Sequence, residues 1–136
     1  MNFLIEKQEE LIKISHYIQK EYPEGVVVLL IGDLGAGKST FVKYFAKELG
    51  IHHTASPTFS IMNNYDDKIF HYDIYKDGSE EFFSKGLGEN LAVGGFHFIE
   101  WADERVKNYL ELIGVEYITL TITPKENKRE VIIDVP

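Results

Sequence analysis

The sequence predicts one α/β domain, with a mixed and mostly parallel central sheet flanked by helices. Three observations predict it. The six-residue apolar run Val26 to Ile31 has the length and β-branched content of a strand buried on both faces. It runs directly into the glycine-rich stretch IGDLGAGKST and then FVKYFAKEL, where Phe41, Val42, Phe45 and Leu49 keep helical spacing. Two later segments, KIFHYDIY and GFHFIEW, are again strand-like runs that arrive at a carboxylate.

The elements follow in order. After a short apolar start, Phe3 to Ile5, residues from about Lys7 to Tyr22 set Leu11, Ile14, Ile18 and Tyr22 near one face of a 3.6-residue period, which predicts an amphipathic helix. Pro23 and Gly25 end it before the first buried strand. Gly50 is placed to cap the helix that follows the glycine loop. FSIMNNY and KIFHYDIY flank Asp66-Asp67, a pairing that predicts a hairpin. DGSEEFF, from Asp77, carries acids where a helix dipole favours them. Phe96 to Ile99 predicts a buried strand closing on Glu100 and Trp101, then a short helix from Asp103 to Leu110. Two last strands, Glu116 to Thr123 and Glu130 to Val135, are joined by the polar turn PKENK. No repeat or Pro/Gly/Ser linker divides the chain, so one domain over residues 1–136 is expected.

Gly32-Asp33-Leu34-Gly35-Ala36-Gly37-Lys38-Ser39 satisfies the phosphate-loop pattern G-x-x-x-x-G-K-[ST] in full, with Thr40 next, in its required setting between strand and helix. The chemistry explains the letters. Glycines allow backbone conformations that turn successive N–H groups toward anionic oxygens. Lys38 supplies a point charge for β and γ phosphates, Ser39 a hydroxyl ligand for Mg2+, and the following helix its N-terminal dipole. A P-loop NTPase-like fold holding ATP and Mg2+ is therefore expected. Such a site needs a second anchor for the metal, commonly a carboxylate ending a neighbouring buried strand, and Glu100 and Asp73 both qualify. Glu100 is preferred as the metal ligand, directly or through water, with Asp73 orienting the attacking water or sharing the metal.

Several classes are disfavoured. The near match to a guanine-reading N-K-x-D, Asn127-Lys128-Arg129-Glu130, lies in a polar turn rather than at the end of a buried strand. Arg105 and Arg129 are the only arginines, too few for the arginine-bearing lid of a small-molecule kinase. A motor would need far more chain. His71 and His97 read as core or surface groups rather than metal ligands. Lys and Arg number 14 against 22 Asp and Glu, a net charge of -8, so the surface should repel a polyanion and any work on nucleic acid should run through a partner. With no cysteine, no signal-peptide pattern and no membrane-length apolar run, a cytoplasmic protein free of membrane is expected.

Four motifs in this order, GDLGAGKSTF, SPTFSIMNNY, HYDIY and FIEWADE, resemble the bacterial TsaE family, formerly YjeE, across a chain of this whole size. The resemblance implies a P-loop ATPase needed to make threonylcarbamoyladenosine at position 37 of tRNAs reading codons that begin with A. It implies action through TsaB and TsaD, with tRNA engaged only indirectly and weak hydrolysis when alone. Residue by residue, it carries Gly35 to Thr40 onto the nucleotide loop, Ser39 and Glu100 onto the magnesium ligands and Asp73 onto the catalytic aspartate. It likewise makes Thr58 part of a nucleotide-sensing switch and brings Trp101 and Arg129 to the nucleotide. The family pattern D-L-Y-R-L and E-W-P is replaced here by Asp73-Ile74-Tyr75-Lys76-Asp77 and Glu100-Trp101-Ala102. Lys76 lacks the planar fork of arginine, and Ala102 should loosen the turn after the strand. Two other readings stay open, a nucleotide-dependent assembly module that needs no hydrolysis and a small-molecule kinase. No motif identifies the residues that read the adenine.

Overall fold

The computed structural model describes residues 1–33, 35–54, 61–75 and 78–136. Seven strands form one sheet in the order β1-β7-β6-β2-β5-β4-β3. They are β1 (Asn2–Ile5), β2 (Val27–Ile31), β3 (Met62–Tyr65), β4 (Ile69–Asp73), β5 (Phe96–Glu100), β6 (Tyr117–Lys125) and β7 (Lys128–Asp134). The four central strands, β6, β2, β5 and β4, pair in parallel, while β1, β7 and β3 add antiparallel edges. The helices are α1 (Leu11–Glu21), preceded by a 3-10 turn at Gln8–Glu10, α2 (Lys38–Glu48), α3 (Gly78–Ser84), α4 (Leu87–Asn90) and α5 (Glu104–Ile113).

Strand alternation sorts the core into two layers. Val28 and Leu30 of β2 join Ile14 and Ile18 of α1 and Phe41 and Phe45 of α2 on one face. Val27 and Leu29 join Tyr72, Phe82, Val106 and Leu110 on the other. Phe45 anchors the first layer, its ring centroid 4.8 Å from that of Phe96 and 4.9 Å from that of Phe98 in edge-on geometry. No helix among the described residues is long and apolar enough to cross a membrane.

Local chemistry accounts for the turns. Asp66 and Asp67 both take positive φ, 56° and 55°, as the central residues of a turn closed by the Lys68 N–H on the Tyr65 carbonyl, with Lys68 left over where Tyr65 pairs with Ile69. The Asn64 side chain holds that turn by accepting from the Asp67 N–H at 2.9 Å. The last hairpin is tighter than its sequence predicts. The ladder continues through Pro124 opposite Arg129 and Lys125 opposite Lys128, leaving Glu126 and Asn127 as the turn instead of all of PKENK. Polarity marked those residues as a loop, but an exposed hairpin tip tolerates polar side chains, and Pro124 sits near it. Likewise α5 runs on to Ile113 before Gly114 ends it at φ 71°, past the expected Leu110. The one-turn helix α4 had no periodicity to reveal it.

Asp103 is the N-cap of α5, extended in backbone and accepting from the Val106 N–H at 3.1 Å. Asp103→Ala should lower unfolding stability by about 1 kcal/mol. Urea denaturation should register this as a lower midpoint at unchanged slope.

Candidate phosphate-binding site

Strands β2, β4 and β5 run in parallel, so their C-terminal ends, Ile31, Asp73 and Glu100, come out at one edge of the sheet where α2 begins. Ligands in open α/β sheets collect at that edge. The glycine loop lies there and is built for close approach. A Cβ at Gly32 would lie 2.9 Å from the Ile122 carbonyl oxygen, and Gly35 and Gly37 adopt φ of 80° and 111°, where other residues are strained. Asp33 contributes its carbonyl to a turn by accepting from the Ala36 N–H at 3.0 Å. Ala36 turns its methyl into the core. Gly37 caps α2 without a side-chain hydrogen bond, so the positive end of an eleven-residue helix faces the loop. Leu34 lies outside the described residues, as do Thr58 with its Ser-Pro-Thr segment and Lys76 with Asp77.

A cavity of about 320 Å3 opens at this edge, lined by the loop, Lys38, Ser39 and Thr40 on one side and by Asp73, Glu100 and Trp101 on the other. Glu100 belongs to β5, the direct neighbour of β2. Asp73 is one strand further out, since β6 and not β4 holds the other flank of β2. It still reaches the same cavity because register pairs it with Glu100. The Asp73 carboxylate also accepts from the Tyr75 N–H at 3.1 Å.

Lys38 as a residue is 5% exposed, and its ammonium donates to the Gly32 carbonyl while lying 3.7 Å from the centroid of the Trp101 ring. Burial lowers its pKa, opposed by the charges of Glu100, Asp73 and Asp33. Trp101 holds its ring there with φ at 66°, a left-handed conformation that is costly for a bulky residue, and Tyr75 packs on it at 4.8 Å. Ala102, after it, packs against the second core layer.

Glu100 is the most constrained acid of the site. Its Oε2 accepts from the Ser39 hydroxyl at 3.1 Å and from the ring Nε2 of the buried His71. Burial pushes its pKa up, but the His71 hydrogen bond and charge, the Ser39 hydrogen bond and the Lys38 charge together hold it below the ordinary carboxylate value. By donating, Ser39 keeps its oxygen lone pairs out of this bond. A hydroxyl and an ionised carboxylate side by side at a helix N-terminus are a hard-oxygen donor set that fits Mg2+. No group of three or more His, Cys, Asp or Glu suited to a metal ion occurs among the described residues. Such a site fits only an ion that takes its other ligands from phosphate and water, as Mg2+ does.

Arg129 stands beside the loop: a Cβ on Gly37 would lie 3.5 Å from its Nε. It borders a second cavity of about 330 Å3, lined by apolar Ile5, Leu11, Ile122 and Val131 and by polar residues of the 6–8 and 126–129 segments, and sharing Gly35, Gly37 and Thr40 with the first. No motif marks this cavity, because its walls come from four separate elements, although the N-terminal segment and the last hairpin that border it are the sequence's candidates for a base site. His71 was also not expected here; its spacing of two from Asp73 is the signal, since strand alternation puts both on one face.

The model for the threonylcarbamoyl adenosine biosynthesis protein TsaE matches residues 5–131. A tRNA threonylcarbamoyladenosine biosynthesis protein TsaE from Bacillus subtilis is 37% identical over 122 residues, covering 79% of this chain and 75% of that protein. The TsaE of Aquifex aeolicus is 32% identical over 134 residues, covering 94% and 91%. The crystal structure of Bacillus subtilis YdiB superposes with a TM-score of 0.72 at 29% identity, over 100% of this chain and 86% of that one. With a family model spanning most of its length and relatives of this similarity, the chain belongs to the TsaE family of threonylcarbamoyl adenosine biosynthesis proteins.

Proposed function

We propose that this protein binds ATP with Mg2+ and hydrolyses it in support of tRNA threonylcarbamoyladenosine formation, acting with TsaB and TsaD. The observation that carries the reading is the pair of adjoining cavities on the two sides of the glycine loop. One holds Lys38, Ser39, Asp73 and Glu100; the other is mixed, with Ile5, Leu11, Ile122 and Val131 beside the polar side chains of Gln8, Asn127 and Arg129. Together they suit a molecule with a charged phosphate end and a flat ring end that has apolar faces and hydrogen-bonding edges. On this reading Ile5, Leu11, Ile122 and Val131 pack against the adenine, between the N-terminal segment and the last hairpin.

Within that reading, the loop N–H groups and Lys38 bind the phosphates, and Lys38 exchanges its Gly32 and Trp101 contacts for the β and γ oxygens. Ser39 and Glu100 hold the metal, and a Mg2+ ion so bound neutralises charge on the β and γ phosphates. Asp73, on the same wall as Glu100, orients the attacking water. Trp101 covers the phosphate end. The acidic surface leaves tRNA contact to the partners.

The test is phosphate release from ATP by the protein alone and with TsaB and TsaD, alongside tRNA modification. Stimulation by the partners, and loss of repeated modification cycles when a nonhydrolysable analogue replaces ATP, are the expected results. Sustained cycling on the analogue would favour an assembly module without hydrolysis. A phosphorylated metabolite in place of free phosphate would favour a small-molecule kinase.

A further inference from the structure

We infer that His71 is a positioning residue that fixes which oxygen of Glu100 faces the metal. Alternation along β4 turns Phe70 and Tyr72 to one core layer and His71 with Asp73 to the α2 side. There His71 is 1% exposed, and its Nε2 meets Glu100 Oε2. An ionised carboxylate only accepts, so Nε2 carries the proton of this bond. Ser39 donates to the same oxygen. Oε1, by contrast, has no hydrogen bond among the described residues. No buried polar atom there lacks a partner, so Oε1 reaches solvent. Glu100 lines the cavity, and Oε1 is the oxygen without a hydrogen-bond donor among the described residues. Two donors on one oxygen set the plane of the carboxylate and leave the other oxygen to act.

The two donors differ in what else they must do. Ser39 sits in the glycine loop and is itself assigned to the metal, whereas His71 is enclosed in the sheet face and has no other role in the site. It keeps Glu100 aimed while the loop adjusts around phosphate. Loss of a hydrogen-bonding partner behind a metal ligand typically weakens metal affinity about 10- to 100-fold.

This inference rests on the reading of Ser39 and Glu100 as the metal-holding pair, and the test separates the two. Fluorescent N-methylanthraniloyl-ATP is titrated onto the protein in EDTA and across a Mg2+ series, with wild type, His71→Asn and His71→Gln. Both variants are polar amides of similar cost to the core, but only the glutamine amide nitrogen extends to about the position of Nε2. The Mg2+ concentration for half-maximal tightening should rise about 10-fold in His71→Asn and return near wild type in His71→Gln. Affinity in EDTA should stay equal among the three. If wild-type affinity ignores Mg2+, the metal reading falls and takes this inference with it. If wild type responds to Mg2+ but the two variants match each other, only the role of His71 is overturned. Thermal melts of each variant identify a shift due to misfolding; His71→Leu, with neither reach nor polarity, should melt lowest.

Discussion

Lys38→Ala lowers ATP hydrolysis at least about 100-fold, the scale seen when one preorganised donor to a developing phosphate charge is removed. Lys38 is the one loop residue whose side chain supplies positive charge, and its ammonium already waits within the site between the Gly32 carbonyl and the Trp101 ring. Burial lowers its pKa, so water solvates it poorly there, and the arrival of phosphate oxygens is correspondingly favourable. Alanine removes the charge without opening the main core layers. The fold should therefore persist, with a melting temperature within a few degrees of wild type, while phosphate release collapses. Wild-type phosphate release from Lys38→Ala, or unimpaired tRNA modification with it, would refute the proposed ATPase role.

Glu100→Gln keeps the shape of the side chain and removes its charge, so it separates electrostatics from packing. Hydrolysis should fall about 100-fold, and Mg2+ should no longer tighten nucleotide binding, although binding in EDTA persists. The depressed pKa of Glu100 means that it stays ionised at neutral pH. A carboxyl depressed in the folded state contributes stability above its ordinary value of 4.5 and loses it as pH falls through the folded value. Glu100→Gln should consequently flatten the acid side of the stability profile, measured as melting temperature against pH. A variant that retains both Mg2+-dependent binding and the wild-type acid profile would exclude Glu100 as the metal-holding acid.

Where the sequence was most legible, local rules coincided with tertiary demand. The run is apolar from Val26 to Leu30 because β2 has a core layer on each face and parallel neighbours on each side, whereas Ile31 is exposed at the strand end. The hairpin at Asp66-Asp67 follows from residues that tolerate positive φ. The tip at Glu126-Asn127 was harder to bound, because exposed strand and loop share a polar composition. His71 was harder still: its spacing of two from Asp73 puts it on the same strand face, but only the register of β4 on β5 decides that its ring meets Glu100.

By itself, the sequence determined the phosphate loop, the parallel centre and the acids at its edge, since those depend on residue type and short spacing. Tertiary structure alone decided that Glu100 stands beside β2 with Asp73 one strand beyond, that His71 and Ser39 converge on one carboxylate oxygen, and that Arg129 returns to Gly37. The physical reason is that these contacts join residues 29, 61 and 92 positions apart. Strand order and register bring such residues together, and no local pattern encodes either.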